Sequence, residues 1–566
     1  MTEQATDAAE TATPAHILVA DPIAPEGLAI LQRIGQVDAT HSLSAEQLIE
    51  IMPRYDALVV RSETKVTAAV INAGEKLRVI ARAGVGVDNI DVEAATRRGI
   101  LVVNSPTGNI VAAAEHTIAL LMALARNIPA ANASLRAGRW ERAKFVGAEI
   151  TGKTLSVIGL GKVGMEVAKR AGEGGLGMRI IAYDPYAAPE NARKVNAELV
   201  TLDEALAQAD FLTVHTALTN DTRGLIGVRE LARMKPTARV INCARGGVID
   251  ETALLAALHE GRIAGAALDV FTKEPPKDDA TIAALIEHPR VVATPHLGAS
   301  TEEAQITVAV DVAEQVGEVL RGGAARAAVN APLILPDTLS QLEPWMSLVE
   351  KLGRLYLQLH PGRVRSVELS VVGEIAQNDT RPLAAALIKG LLEPVSEAHV
   401  NLINAFVLAR DRGLEVVESR STNPHQYTNL VTLRVSPDDH DHDGVDAFGL
   451  ETHDQPHELA ATITWGVGHV VRVDRYATDF TPRGHILLCR NMDRPGMIGR
   501  VGTILGDAGV NIAHMDVGPI SPSGARSRTP GGEALMALSL DGAVPEAALE
   551  AIRQSKDILS VQSVTL

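Results

Sequence analysis

"VIGLGKVG", residues Val157 to Gly164, is an apolar run that breaks into three glycines in G-x-G-x-x-G spacing. Alone the spacing says little, because the chain has 47 glycines. Its flanks say more. The run "TLSVIGLG" reads as a buried strand and the residues after Gly161 as a helix. The next strand, "RIIAYDP", then ends in Asp184, about 20 residues beyond Gly164, the usual place for such an acid. A glycine turn opening a helix lets backbone N–H groups approach a pyrophosphate, and an acid at the next strand tip accepts from ribose hydroxyls. Gly159, Gly161, Gly164 and Asp184 therefore predict a dinucleotide site. An aspartate there repels a 2′-phosphate, and "DPYAAPE" supplies no adjacent arginine. The cofactor read from these residues is NAD rather than NADP.

The same rhythm extends in both directions. "HILVADP", "YDALVVRS", "LRVIARAG" and "ILVVNS" come before it, and "DFLTVHT", "RVINCARG", "GAALDVF" and "VVATPHLG" after. Strands covered by helices on both faces read this way. The expected fold class is α/β, with two doubly wound, Rossmann-like parallel-sheet domains. The first, substrate-binding, takes residues 15–110 and 300–330; the second, NAD-binding, takes 111–299. A disordered tail, 1–14, precedes them, and "GGAARAAVNAP" after a long helix reads as a hinge. Residues 331–480 mix helices and strands, which predicts an α+β intervening domain. Residues 485–566 read strand, helix, strand, strand, helix, strand, the ferredoxin-like order.

Composition narrows the partners. With 46% hydrophobic and 22% charged residues, the chain has ample core for a globular protein. A net charge of −16 and 3% aromatics argue against nucleic acid and against an anionic membrane. The longest apolar stretch, "IVAAAEHTIALLMALA", carries Glu115 and His116 and reads as a core helix. Two cysteines, Cys243 and Cys489, suit a reducing, cytoplasmic setting. The run "DDHDHDGVDAFGLETHDQPHE" holds His440, His442, His453 and His457 without fixed ligand spacing. It reads as a solvated loop, and no metal is expected.

"VINCARGGVID", Val240 to Asp250, ends a strand with Arg245 followed by Gly246 and Gly247. An arginine before a Gly-Gly turn is ordinarily a surface side chain. Oxidising an alcohol with a nicotinamide, however, needs a proton acceptor and something to orient the substrate. His296, in "ATPHLGAST" at the last strand tip, fits the first need; His215, in "TVHTAL", reads as a core or cofactor-loop residue. Glu274, in "DVFTKEPP", can bond the imidazole and fix its tautomer. Arg245 can then grip a carboxylate with both prongs, the two glycines letting the backbone fit beside the ligands.

With "RAGVGVDNID", "GLGKVG", "NCARGGVID", "LDVFTKEP", "TPHLGAST" and "VNAP", the chain resembles the D-isomer-specific 2-hydroxyacid dehydrogenases, specifically their long members. The resemblance runs from His16 to the C-terminus. It implies that Arg245, Glu274 and His296 are the catalytic residues. It also implies that Val85, Lys162, Val163, Asp184, Thr216, Cys243, Ala244, Arg245, Asp269, His296, Leu297, Gly298 and Ala299 surround NAD. Arg61, Arg82 and Asn109, with Arg245, are implied to hold the substrate, D-3-phosphoglycerate, which carries a carboxylate and a phosphate. Arg142 and Lys144, in "GRWERAKF", are implied to reach a neighbouring subunit of a homo-oligomer, a dimer or tetramer; otherwise they are a solvated helix end. The C-terminal unit, with "NMDRPGMIGRVGTIL", resembles an ACT domain, which implies L-serine as effector on Asn491, Asp493 and Asn511. In the intervening domain Arg472 and Arg475 are candidates for an anion. The alternatives are a glyoxylate or hydroxypyruvate reductase of the same family and an NAD-sensing, corepressor-like binding protein.

Overall fold

The computed structural model describes residues 14–276, 278–331, 336–362, 364–397, 399–423, 427–437, 457–520 and 532–566. The expected tail thus lies almost wholly outside the described residues. Five parallel strands form the first sheet, in the order Gly35–Ala39, Ala15–Val19, Ala57–Val60, Val79–Arg82, Leu101–Asn104. Ala57–Val60 is buried at every position, as its unbroken apolar sequence requires under helices on both faces.

Seven parallel strands form the second sheet, in the order Val291–Ala293, Gly265–Leu268, Arg239–Asn242, Phe211–Val214, Thr154–Ile158, Arg179–Tyr183, Glu198–Leu199. The first of these in sequence, Thr154–Ile158, lies between strands reached in opposite directions. A crevice opens at that switch point, outside the strand C-termini. The edge strand Glu198–Leu199 has two exposed residues and no apolar run to announce it.

Helix Glu302–Leu320 returns the chain to the first sheet, where Val308, Val312 and Val316 share a core with Ile17, Val59 and Val79. The stretch expected as a hinge, "GGAARAAVNAP", is half paired. Its second half lies as an edge against Leu101–Asn104: Val329 N–H donates to the Val102 carbonyl (2.8 Å) and Asn104 N–H to that of Ala327 (3.3 Å). Asn330 adds side-chain bonds to Val102 N–H, the Ile100 carbonyl and Thr96 Oγ1. The first half of that stretch, from Gly322 to Ala325, lines a cavity instead.

A third, mixed sheet runs Glu415–Ser421, Val364–Gly373, Asn429–Pro437, His457–Thr464, Val467–Val473, Tyr476–Phe480. Helices Pro336–Leu359 and Arg381–Leu392 cover it. His457 therefore opens a strand and is mostly buried, not part of a solvated loop; pairing with Val435 draws it in. His440, His442 and His453 lie outside the described residues. The last sheet is antiparallel, in the order Ile512–Pro519, Glu533–Leu540, His485–Met492, Ile558–Thr565, with two helices on one face. That is the ferredoxin-like arrangement read from the sequence. No single described helix is long and apolar enough to cross a membrane; Ile110–Ala125 and Ile128–Arg136 reach that length only together, with a 63° bend.

Gln315 is fully buried on the returning helix, giving Nε2–H to the Asn104 carbonyl and taking Ala327 N–H, both at 2.9 Å. Gln315→Leu should orphan two backbone groups at about 1–3 kcal/mol each. Scanning calorimetry should show the transition of the first domain lowered by several degrees.

Candidate active site

The glycine turn is built as the pattern requires. Gly159 has φ +93°, and a Cβ there would stand 2.8 Å from the His215 carbonyl. A Cβ on Gly164 would stand 2.1 Å from the Gly159 carbonyl oxygen, so helix Lys162–Ala171 leaves the turn in direct contact with it. Gly161 differs: a Cβ there would meet nothing within 4 Å. Open space beside a helix N-terminus is where a pyrophosphate fits. Exposed Lys162 and half-buried Val163 begin that helix. Across the turn, Thr216 Oγ1 is buried without a protein hydrogen-bond partner, a polar atom that a bound cofactor would satisfy. Asp184 also braces the turn, accepting Leu160 N–H (2.8 Å) and Tyr186 N–H (2.9 Å). His215, at the tip of Phe211–Val214, bonds Thr213 Oγ1 at 2.9 Å, and burial pushes its pKa down to about 4.

At the neighbouring tips, one buried carboxylate organises a whole loop. Asp269 Oδ1 accepts Leu297 N–H (2.7 Å), Thr294 Oγ1–H (2.6 Å) and His116 Nε2 (3.1 Å). Its Oδ2 accepts Gly298 N–H (2.8 Å), and its backbone carbonyl takes His296 N–H (2.9 Å). Burial raises its pKa, but the bonds from His116, Thr294 and Leu297 outweigh that and leave it below the ordinary value. His296 is thereby held at φ +54°, a conformation rare for a residue with a side chain. Asp269 thus supports the loop with both oxygens. His116 was missed as a site residue; its signal was the polar run Glu115, His116 and Thr117 inside an apolar helix. Cys243 Sγ lies 3.6 Å from Asp269 Oδ2, and burial followed by that charge pushes its thiol up to about 12, so it is inert. Ala244 and Ala299 are half-buried beside this loop, and Leu297 is exposed.

His296 Nδ1 meets Glu274 Oε2 at 2.6 Å, and Glu274 Oε1 accepts Phe271 N–H at 2.8 Å. The Glu274 hydrogen bond raises the His296 pKa; burial opposes it. Arg245 follows strand Arg239–Asn242, its turn fixed by Asn242, which donates to the Arg245 carbonyl (2.9 Å) and accepts Ala244 N–H (3.0 Å). Its guanidinium donates to Asp88 at 3.2 Å and to the Ala244 carbonyl at 2.7 Å. The glycines after it serve a different end from the one expected. A Cβ on Gly246 would stand 2.0 Å from the Phe271 carbonyl, and Gly247 turns at φ +83°. They seat the arginine turn against the chain that carries Glu274.

From the first sheet, Arg82 reaches the same cleft. It is largely buried, with Nε lacking a hydrogen-bond partner. Burial, then the positive charges of Arg245 and Arg61, push its pKa down to about 10, against the pull of Asp88 and Asp21. Arg61 is fixed by its N–H to Asp21 (2.6 Å) and its carbonyl to Asn89 (2.8 Å). Half-buried Val85 gives its carbonyl to the Asn104 side chain. Asn109 starts helix Ile110–Ala125 without a side-chain capping bond.

Residues 118–298 match the model of the D-isomer specific 2-hydroxyacid dehydrogenase NAD binding domain, 341–445 the D-3-phosphoglycerate dehydrogenase intervening domain, and 485–557 the ACT domain. A D-3-phosphoglycerate dehydrogenase of Synechocystis is 44% identical over 98% of this chain and 95% of its own length. Another, from Methanocaldococcus jannaschii, is 45% identical over 97% and 99%. The chain belongs to the D-3-phosphoglycerate dehydrogenase family. Among solved structures, a protein of Thermus thermophilus (32% identity, TM-score 0.51) covers 56% of this chain and 99% of itself. A glyoxylate reductase from Paecilomyes thermophila (31%, 0.51) covers 56% and 98%. The shared part is the dehydrogenase half of a D-3-phosphoglycerate dehydrogenase, and its cofactor is NAD.

The regulatory residues are spread out. Asp493 and Asn511 are exposed, Asn511 bonding Asp541 at 2.6 Å. Asn491 is buried in the ACT sheet, its Nδ2 on the Met492 carbonyl and its Oδ1 without a partner. The intervening-domain arginines are already paired, Arg472 with Glu458 (2.6 Å) and Arg475 with Glu533 (2.9 Å).

Asp269→Asn places an NH₂ group against backbone donors. Misplacing the His296 loop by about 1 Å costs on the order of 100-fold in turnover. Steady-state kinetics of the folded variant should show that loss in kcat.

Proposed function

We propose that this enzyme oxidises D-3-phosphoglycerate to 3-phosphohydroxypyruvate with NAD, opening L-serine biosynthesis. One observation carries the reading: Arg61, Arg82 and Arg245 converge beside the His296–Glu274 pair. When bound, NAD supplies the acceptor for the hydride. Arg245 exchanges Asp88, 70% exposed and so a weak partner, for the substrate carboxylate. Arg61 and Arg82 answer the phosphate, with Asn109 at the cleft edge. Glu274 accepts Nδ1–H, which leaves the Nε2 lone pair of His296 to take the hydroxyl proton. The C–H bond then breaks with its electron pair as the carbonyl forms, and Glu274 stabilises the imidazolium. Initial rates of NADH oxidation test the substrate: 3-phosphohydroxypyruvate should exceed glyoxylate and hydroxypyruvate by orders of magnitude in kcat/KM. Equal values would favour a general reductase.

Glu274 raises the His296 pKa, so Glu274→Gln should lower it. Oxidation needs the neutral imidazole, so the acid limb of its kcat/KM profile should shift to lower pH. Reduction needs the imidazolium, so its basic limb should shift the same way.

For the assembly we propose a homo-oligomer pairing through the surface around Trp140 (78% exposed) and Val146 (81%), with Arg142 and Lys144 between them. The two buried free thiols are at home in a reducing compartment, and the cytoplasm is our reading. L-serine is the proposed effector. Asp493 precedes helix Met497–Asp507, whose N-terminus favours a carboxylate, while Asn511 lies past the other end of that helix, so a site using both would draw them from two copies of the chain. Asp493→Ala should lose serine inhibition while keeping turnover measured without serine.

A further inference from the structure

We propose that His360, His457 and Asp474 form a binding site for one divalent transition-metal ion of the Zn²⁺ type. The donor atoms of the three side chains lie within 4.8 Å of one another. His457 Nδ1 stands 3.2 Å from Asp474 Oδ1, and His360 Nε2 stands 3.8 Å from Asp474 Oδ2. The second distance is beyond hydrogen-bond reach. Two ligands on a tetrahedral Zn²⁺, each bonded at about 2.0–2.2 Å, stand roughly 3.3–3.5 Å apart. The gaps run to the two different oxygens of Asp474, the shorter one being a hydrogen bond that an ion would replace, and both are of that order.

Each donor comes from a different rigid element. His360 follows helix Pro336–Leu359, its N–H on the Tyr356 carbonyl at 2.8 Å. His457 is the first residue of its strand. Asp474 sits in the two-residue turn between Val467–Val473 and Tyr476–Phe480, at φ +48°. There it exchanges backbone bonds with Glu458: Glu458 N–H reaches Asp474 Oδ1 (3.0 Å) and Asp474 N–H the Glu458 carbonyl (2.6 Å). The two imidazoles stack at 3.7 Å with 28° between planes.

The chemistry selects the ion. Two imidazole nitrogens and one carboxylate oxygen suit Zn²⁺ or Co²⁺, whereas Ca²⁺ and Mg²⁺ want oxygen throughout. A bound ion would fasten the end of helix Pro336–Leu359 to the hairpin that abuts the ACT domain. Tyr476 of that hairpin bridges to Ile520, and Asp479 N–H reaches Asp516.

The test uses the full-length protein, stripped with a chelator and titrated with Zn²⁺ against a chromophoric competitor. One ion per chain is expected. His360→Gln and Asp474→Asn should each weaken it by about 100-fold or more, at or beyond what a ligand-supporting change costs. The triple variant His440→Ala/His442→Ala/His453→Ala should keep it. Turnover without added metal checks that each variant is folded. If Asp474→Asn does not fold, Co²⁺ on the wild-type chain decides: intense tetrahedral bands support the site. No binding, weak octahedral Co²⁺ bands, unchanged affinity in His360→Gln, or loss in the triple variant each overturns it.

Discussion

The dehydrogenase half depends on one buried charge. Asp269 has no exposed surface, and an unpaired carboxylate there would cost several kcal/mol. The cost is offset by donors from three directions: the helix through His116, the strand tip through Thr294, and the N–H groups of Leu297 and Gly298. Satisfying that charge gives the loop one shape. The same shape turns the proposed proton carrier, His296, out of the sheet toward Glu274. A hydrophobic residue at 269 could fill the space, but it would leave Leu297 and Gly298 N–H unpaired and the loop free to choose. The charge specifies geometry more than it adds stability.

On the facing domain the electrostatics run the other way. Burial first, then the charges of Arg245 and Arg61, outweigh Asp88 and Asp21 and bring the Arg82 pKa down to about 10. Like charges held together in a partly dry cleft are unfavourable until an anion arrives. A dianionic phosphate with a carboxylate relieves more of that repulsion than a simple hydroxyacid can. The preference proposed above thus comes from unpaired positive charge. It also explains why a chain of net charge −16 can attract an anionic substrate: the local field at the strand tips opposes the global one.

Sequence legibility followed the range of the interactions. The glycine turn, Asp184, Arg245 and His296 follow strands whose periodicity is local, and Glu274 lies in the loop after Gly265–Leu268. Their positions are therefore readable from the sequence, while their roles stay a proposal. The reason for Gly246 was not, because it depends on the Phe271 backbone, which reaches it from the adjacent strand. His116 looked like an anomaly in a core helix until Thr294 and Asp269 came beside it. The small residues after Arg321 read as a hinge because composition cannot reveal an edge pairing with Leu101–Asn104. His457 was assigned to a loop because its neighbours in sequence are polar, whereas its neighbours in space are His360 and Asp474.

Where then can regulation travel? The ACT sheet has two buried faces. One carries its own helices; the other, with Ile486, Leu488, Leu535 and Val564, joins the core of the intervening domain. Arg490, buried, adds bonds to Tyr476 and Glu533, and Gln358 and Gln562 stitch helix Pro336–Leu359 to the last strand. These two domains therefore move as one. Against the substrate domain the junction is smaller: Asn401 on the Gly99 carbonyl (2.8 Å), Asn404 on the Arg97 carbonyl (3.4 Å), Arg97 on Asp411 (2.6 Å) and Ile403 packed on that domain's core, beside a cavity of about 700 Å³. Gly99, at φ +67°, has room for no side chain, since a Cβ would stand 2.4 Å from Asn401. A packed core resists deformation while a few polar bonds beside a void can exchange. An effector that bound the ACT domain and acted through this chain would do so by shifting that junction, where exchanging contacts costs least.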